Sequence, residues 1–238
     1  MGMILLLLGK ILRFALLISF IYFLVGRTKT IAGYSLNQTM VFFLTFAVID
    51  NASQIFFREV YRFRPLVISG ELDTILVKPY HPFLRILIGG VDILDATLML
   101  PYLFILMYFV FQNSSSITVM SVFLYITLAI NGFVIETAFH IMVLALGILT
   151  SEVDHTIMIY RDLTRVATVP IDVYREPVRF LFSFVLPIGV MMSFPAKALY
   201  NALSIPFIGI SFCIGGLSLW GALKLWEHAL RVYQSASS

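Results

Sequence analysis

Cysteine is all but absent from the 238 residues, with only Cys213, set inside an apolar run. That excludes an internal disulfide framework and every multi-cysteine metal site. Charge is also scarce: 12% of residues are charged, about half the share in ordinary soluble domains. With 16 Lys and Arg against 13 Asp and Glu, the formal charge is only +3, which gives a polyanion such as nucleic acid no extended surface to grip. No Gly-x-x-x-x-Gly-Lys-Ser/Thr occurs, so the chain lacks the usual phosphate cradle. Neither His-Glu-x-x-His, Gly-x-Ser-x-Gly nor a pair of aspartates centred in separate spans is present, which argues against an intramembrane protease or lipid transferase.

What fills the chain is apolar: 60% of residues are hydrophobic and the mean hydropathy is +0.97. A hydrocarbon core about 30 Å thick needs about 20 apolar residues per helical span. Six segments qualify, 3–25, 36–57, 91–111, 117–150, 178–194 and 205–224. The expected fold class is therefore all-α, a polytopic membrane protein with six transmembrane helices in a single transmembrane domain over residues 1–238. The first segment lacks a small-residue cleavage site and is expected to be retained. Its Lys10 and Arg13 are expected to snorkel toward the headgroups. Leu6, where an acceptor motif needs Ser or Thr, argues against N-myristoylation. The fourth segment could turn at Asn131-Gly132, but two spans there would put Arg161, Arg165, Arg175 and Arg179 opposite Arg58, Arg62 and Arg64. The positive-inside rule favours one long span, with both termini cytoplasmic and only Arg27, Lys29 and Lys197 of the sixteen basic residues outside.

Segment 58–90 is amphipathic rather than spanning. Gly70 can break a helix, Glu71 and Asp73 suit a new N-terminus, and Leu72, Ile75 and Leu76 share one face at i, i+3, i+4. Such a helix suits docking in a groove of another protein, or lying among headgroups.

The string Ser-Gly-Glu-Leu-Asp-Thr-Ile-Leu-Val-Lys-Pro at 69–79 resembles the signature of bacterial ABC-2-type permeases, G-x-L-D-x-x-L-x-[KR]-P, at Gly70, Leu72, Asp73, Leu76, Lys78 and Pro79. A second match is Pro170-Ile171-Asp172-Val173-Tyr174, followed by Arg179 and Phe184-Val185-Leu186-Pro187. The resemblance implies the membrane subunit of an ATP-driven exporter, paired with an identical or different second permease and served by separate cytoplasmic ATPase subunits in the inner membrane. It implies a coupling helix between the second and third spans, with Gly70, Glu71, Leu72, Asp73, Leu76, Lys78 and Pro79 as ATPase-coupling residues. No catalytic residue, metal or cofactor is expected in the chain itself. Similar permeases begin with an additional amphipathic stretch, whereas here the first span starts almost at Met1. An ATP-independent carrier or a membrane scaffold is the alternative, although residues 1–111 and 117–238 show no repeat of each other.

Glu136 is the outstanding ionisable residue at membrane depth, with His140 at i+4 and Asn131 about one and a half turns earlier. Two readings stand: a translocation path, or a polar lock within the bundle. A metal site on this pair alone is incomplete. Asp92 and Asp95 suit a helix N-terminus, and Asp50 and Asn51 are expected to find polar partners such as these. Pro187 predicts a bend in the fifth span, with a re-entrant or surface piece following it outside. Gly209, Gly215, Gly216 and Gly221 suggest close helix packing, and Trp220, Trp226 and Tyr233 an interfacial anchor. Segment 151–179 reads either as a solvated cytoplasmic connector or as an element that braces the first insertion or touches the ATPase, with Ile157, Ile159 and Leu163 as its partial apolar face. The substrate is open.

Overall fold

The computed structural model describes residues 2–79, 82–112, 117–150 and 153–233. Five helices are long and apolar enough to cross a membrane. They are α1 (Gly2–Thr28), α2 (Leu36–Phe56), α6 (Ile93–Phe111), α7 (Val119–Thr150) and α11 (Ile205–Val232). Short helices α3 (Phe63–Ile68), α4 (Glu71–Leu76) and α5 (Pro82–Leu87) lie between α2 and α6. After α7 come α8 (Val153–Thr164) and a bent pair, α9 (Val178–Val185) and α10 (Gly189–Leu199).

Local chemistry sets the helix ends. Ser35 opens α2 with a capping box: its Oγ accepts from Gln38 N–H (3.4 Å), and Gln38 Oε1 accepts from Ser35 N–H (2.9 Å). Asp92 opens α6 by accepting from the N–H groups of Leu94 and Asp95. Between α3 and α4 the backbone needs a left-handed residue, and Gly70 supplies it at φ +73°.

Helix α7 is single and unbroken, as the sequence suggests. At 32 residues it is about 48 Å long, so it outruns a 30 Å hydrocarbon layer. Two apolar cores share it. Around Ile135 it meets Phe42, Phe43, Met191 and Phe194. Further along, Ala138, Ile141, Leu144 and Ala145 meet Phe57, Phe63, Leu72, Leu87 and Trp226. These two groups define a Tyr34 end and a Trp226 end of the bundle.

The fifth crossing is not where the hydropathy places it. Asp172 accepts from Tyr34 Oη (3.2 Å) and from Lys197 Nζ (2.7 Å), and Arg179 Nη1 lies 3.8 Å away. Burial, with the Asp172 carboxylate alongside, pushes the Tyr34 phenol well above its usual pKa, so it remains the donor. Tyr34 lies just before Ser35, the cap of α2, so the chain that leaves α7 at the Trp226 end has reached the opposite end by Asp172. The connecting path is α8, the 3-10 turn Arg165–Thr168 and an extended stretch, roughly 35–40 Å in all, enough to cross. Helices α9 and α10 then meet at 79° around Pro187. Arg179 near the start of α9 and Lys197 near the end of α10 both reach Asp172. Both ends of segment 178–199 therefore lie at the Tyr34 end, the arrangement of a re-entrant hairpin.

This corrects the sidedness of 172–179, which shares an end with Lys29 and Lys197 rather than with Arg58. Hydropathy does not pick out this end-to-end path because Arg161, Asp162 and Arg165 make 153–172 too polar. The chain makes six passes between the two ends of the bundle, with α1 beginning and α11 ending at the Trp226 end. Other expectations shift as well. Lys10 does not snorkel; its Nζ lies 2.6 Å from Asp95 Oδ1. Trp226 belongs to the core beside Phe83, whereas Trp220 is exposed. Of the four α11 glycines only Gly215 faces a close neighbour, Asn131, and the other three face open space.

Single cysteines at Lys29, Arg175 and Arg64, each in a Cys213→Ser background, test the path. A membrane-impermeant maleimide applied from one side should label Lys29→Cys and Arg175→Cys together and leave Arg64→Cys unlabelled. Co-labelling of Arg175→Cys with Arg64→Cys would restore the hydropathy topology.

Candidate functional site

Three groups of residues stand out, and the first is the cap at the Trp226 end. The 3-10 turn Arg58–Arg62 and α3 to α5 fold against α7 and α11 through Val60, Phe63, Leu72 and Ile86, all fully or nearly fully buried. The apolar stripe expected on α4 is thus divided. Leu72 fastens α4 to the bundle, Ile75 and Leu76 are half-buried against the same core, and Glu71 and Thr74 face outward. Ser69 Oγ accepts from Glu71 N–H, and Thr74 Oγ1 donates to Glu71 O. Asp73 lies beside Tyr233, just past α11. The apolar groups that stand clearest beside α4 are Ile68 (63% exposed) and Val77 (84%), next to the exposed Lys78 and Pro79, with Leu84 and Ile88 also exposed in and just after α5. The periodicity found the helix but gave no means of telling its anchoring side from its presented side.

The second group is the polar stripe of α7, buried inside the chain. Asn131 Nδ2 donates to Ser211 O on α11 (2.9 Å). Glu136 Oε1 accepts from Tyr160 Oη on α8 (2.8 Å), while Oε2 has no hydrogen-bond partner among the described residues. Ser53 lies beside Glu136, but its hydroxyl is engaged by Asp50 O (2.8 Å). His140 Nδ1 is 2.9 Å from Glu136 O. Its ring sits between Phe57 and Tyr160, at 4.9 and 5.1 Å between centroids, and Nε2 is unpartnered among the described residues. Glu136 and His140 share a face of α7 and both meet Tyr160, whereas Asn131, five residues earlier and about 140° round the helix, turns to α11. Tyr160 is the partner that sequence reasoning missed. On α8 it continues the 157, 160, 164 face that packs inward, whereas Ile159 is 61% exposed.

The third group lines a cleft of about 160 Å³ between α1, α2, α6 and α8. Five cations border it, Lys10, Arg13, Arg58, Arg161 and Arg165, with the carboxylates Asp50 and Asp95. Lys10 is paired with Asp95, and Asn51 Nδ2 donates to Asp95 O (2.9 Å), as expected for Asn51, whereas Asp50 faces the guanidinium groups of Arg13, Arg161 and Arg165 instead. Arg58 reaches Asp92 at 3.3 Å, and the Arg161 guanidinium lies 5.8 Å from the Tyr61 ring centre. No hydropathy window could reveal this cleft, because its arginines come from the first span, from the turn after α2 and from a segment about 150 residues after the first.

A family model described as ABC-2 family transporter protein matches residues 11–237, nearly the whole chain. No curated protein and no solved structure matches.

Two close approaches give measurable expectations. A Cβ at Gly132 would run into the Met191 carbonyl of the hairpin, so Gly132→Ala should destabilise by about 1–3 kcal/mol. Gly209→Ala, with nothing nearby, should be neutral or slightly stabilising. Tyr160→Phe removes the bond to Glu136 and should cost about 1–3 kcal/mol. Thermal unfolding of the purified protein in detergent checks all three, and a Gly132→Ala protein as stable as the parent would remove the hairpin from this depth.

Proposed function

The chain belongs to the ABC-2 family of transporter proteins, and from that premise we infer that it is the permease subunit of an ATP-driven exporter. It is a multi-pass membrane protein and a transport component rather than an enzyme. In the proposed assembly it pairs with a second permease chain, identical or not, and engages separate cytoplasmic ABC ATPase subunits. The observation that carries the ATPase contact is the cap: a compact, core-anchored helix at one end of the bundle whose neighbouring surface is apolar and unpartnered at Ile68 and Val77. Anchoring matters as much as exposure. A helix lying loosely in headgroups could not pass a push to the bundle, whereas Leu72 seats α4 directly against the α7 and α11 core.

The Trp226 end is assigned to the cytoplasm. Arg27, Lys29, Arg175, Arg179 and Lys197 lie toward the Tyr34 end, and the rest of the sixteen basic residues lie from the middle of the bundle to the Trp226 end. In this reading Gly70 sets the turn, Leu72 and Leu76 anchor, Glu71 and Lys78 flank the contact, Asp73 braces the C-terminal end of α11 through Tyr233, and Pro79 ends the motif. Asn131, Glu136 and His140 act as bundle-locking polar groups, because each is engaged within the chain.

Val77→Asp should reduce co-purification of the ATPase about tenfold while leaving membrane insertion intact. Leu72→Ala should cost about 2–5 kcal/mol of stability as a buried truncation. Unchanged recovery of the ATPase with Val77→Asp would move the contact elsewhere and favour the carrier or scaffold alternative.

A further inference from the structure

The charged cleft does not close on itself. Arg13, Leu17 and Arg165 line it and also line a second, apolar groove of about 680 Å³, which continues along α1 past Gly9, Leu12, Leu16 and Phe20. Arg165 borders the cleft beside Phe43 and Phe46, so it lies about 15 Å from the Trp226 end of α2, near mid-membrane. Arginine at that depth is costly, by about 2.5–3.5 kcal/mol on insertion scales, unless something meets its charge.

The chain's own carboxylates meet that need only in part. Asp95 is taken by Lys10 and Asp92 by Arg58. Arg165 has Asp162 at 3.1 Å, an i, i+3 pair of which both members are exposed. Arg13 and Arg161 have no carboxylate within ion-pair distance among the described residues, and both flank the one remaining acid, Asp50. A volume near 160 Å³ has room for about five water molecules, or for a small anionic headgroup. The adjoining groove is walled by leucine and phenylalanine, which suits a hydrocarbon tail and gives an acidic protein loop nothing to bond.

We propose that the cleft and groove form one site for an anionic amphiphile, with its phosphate or carboxylate group held by Arg13, Arg161 and Arg165 and its acyl chain laid along Leu12, Leu16 and Phe20 of α1. Guanidinium groups suit this task, since each offers several fixed donors to an oxyanion and none can be deprotonated. The ligand reaches the site sideways from the bilayer, because the groove lies on the outer face of α1. That makes anionic amphiphiles the substrate class of the permease. The inference rests on the permease reading for calling the ligand cargo, but binding itself needs no ATPase, so a failure here leaves the Val77 test untouched.

Native mass spectrometry of the purified full chain, exchanged into detergent with equal phosphatidylglycerol and phosphatidylcholine, reads the site directly. The unmodified chain should retain phosphatidylglycerol preferentially. The preference should fall about tenfold in Arg13→Gln/Arg165→Gln and in Leu12→Asn/Leu16→Asn. It should largely survive in Arg13→Lys/Arg165→Lys, which keeps the charge and guards against a merely misfolded variant. Glycerol phosphate at the same concentration should not displace the lipid. Equal retention of the two lipids by the unmodified chain, or a preference unmoved by the glutamine pair, overturns the proposal. Displacement by glycerol phosphate overturns the tail component and marks a soluble-anion site. Conversion of a dimer to a monomer by the glutamine pair, with lipid retention unchanged, overturns it in favour of an interface between copies of this chain.

Discussion

One carboxylate decides how this chain is threaded. Asp172 gathers Tyr34 from the turn before α2, Arg179 from the start of the hairpin and Lys197 from its end, so three distant stretches of chain must share one face of the bundle. Charged groups are tolerated near hydrocarbon only when they find one another or reach water. With these groups gathered there, both ends of the α9–α10 pair lie at the Tyr34 end, and the weakly apolar α8 with the turn after it carries the chain between the two ends of the bundle. The continuous α7, the hairpin seated on it and the placement of the basic residues all follow from this threading.

The crossing through α8 brings charged side chains into the bundle, and the structure uses rather than hides them. Tyr160 meets Glu136, Arg161 lies over Tyr61, and Thr164 is buried with its hydroxyl donating to Arg161 O. Irregular backbone at the same depth includes the 3-10 turn Arg165–Thr168 and the π-helical turns Leu181–Val185 and Gly189–Ser193 on either side of Pro187, and Ala167, Val190 and Met191 within them pack into the core rather than face lipid. Ile171 N–H, for instance, donates to Ser193 Oγ of the hairpin at 3.3 Å.

The sequence made the long elements legible because length and hydropathy are additive along the chain. The limits of α2, α6 and α7, the Asp92 N-terminus and the Gly70 break could each be read from residues close to one another. Sidedness after α7 could not, since it depends on Asp172 meeting residues 25 and 138 positions away. Even the sound conclusion that Asn131-Gly132 is no turn rested on placing Arg175 and Arg179 at the wrong end. What forbids the turn is packing: Gly132 is needed bare beneath Met191, and the Asn131 amide lies against Gly215. The coupling motif had a similar limit. Periodicity grouped Leu72 with Leu76, but only the surrounding core tells which member of a stripe holds the helix and which surface it leaves free.

Helix α7 has no proline and no break between Val119 and Thr150. It touches the hairpin at Gly132 and the cap around Ile141 and Leu144, contacts about 14–18 Å apart on one stiff rod. A rod without a joint cannot absorb rotation. A tilt of about 5° imposed at the cap would move the hairpin contact by more than about 1 Å relative to it, by geometry alone. Interdigitated side chains leave no slack to take up such a shift. The two ends of the molecule are therefore mechanically one part: whatever seizes the cap also has its hand on the plug-like hairpin at the far side.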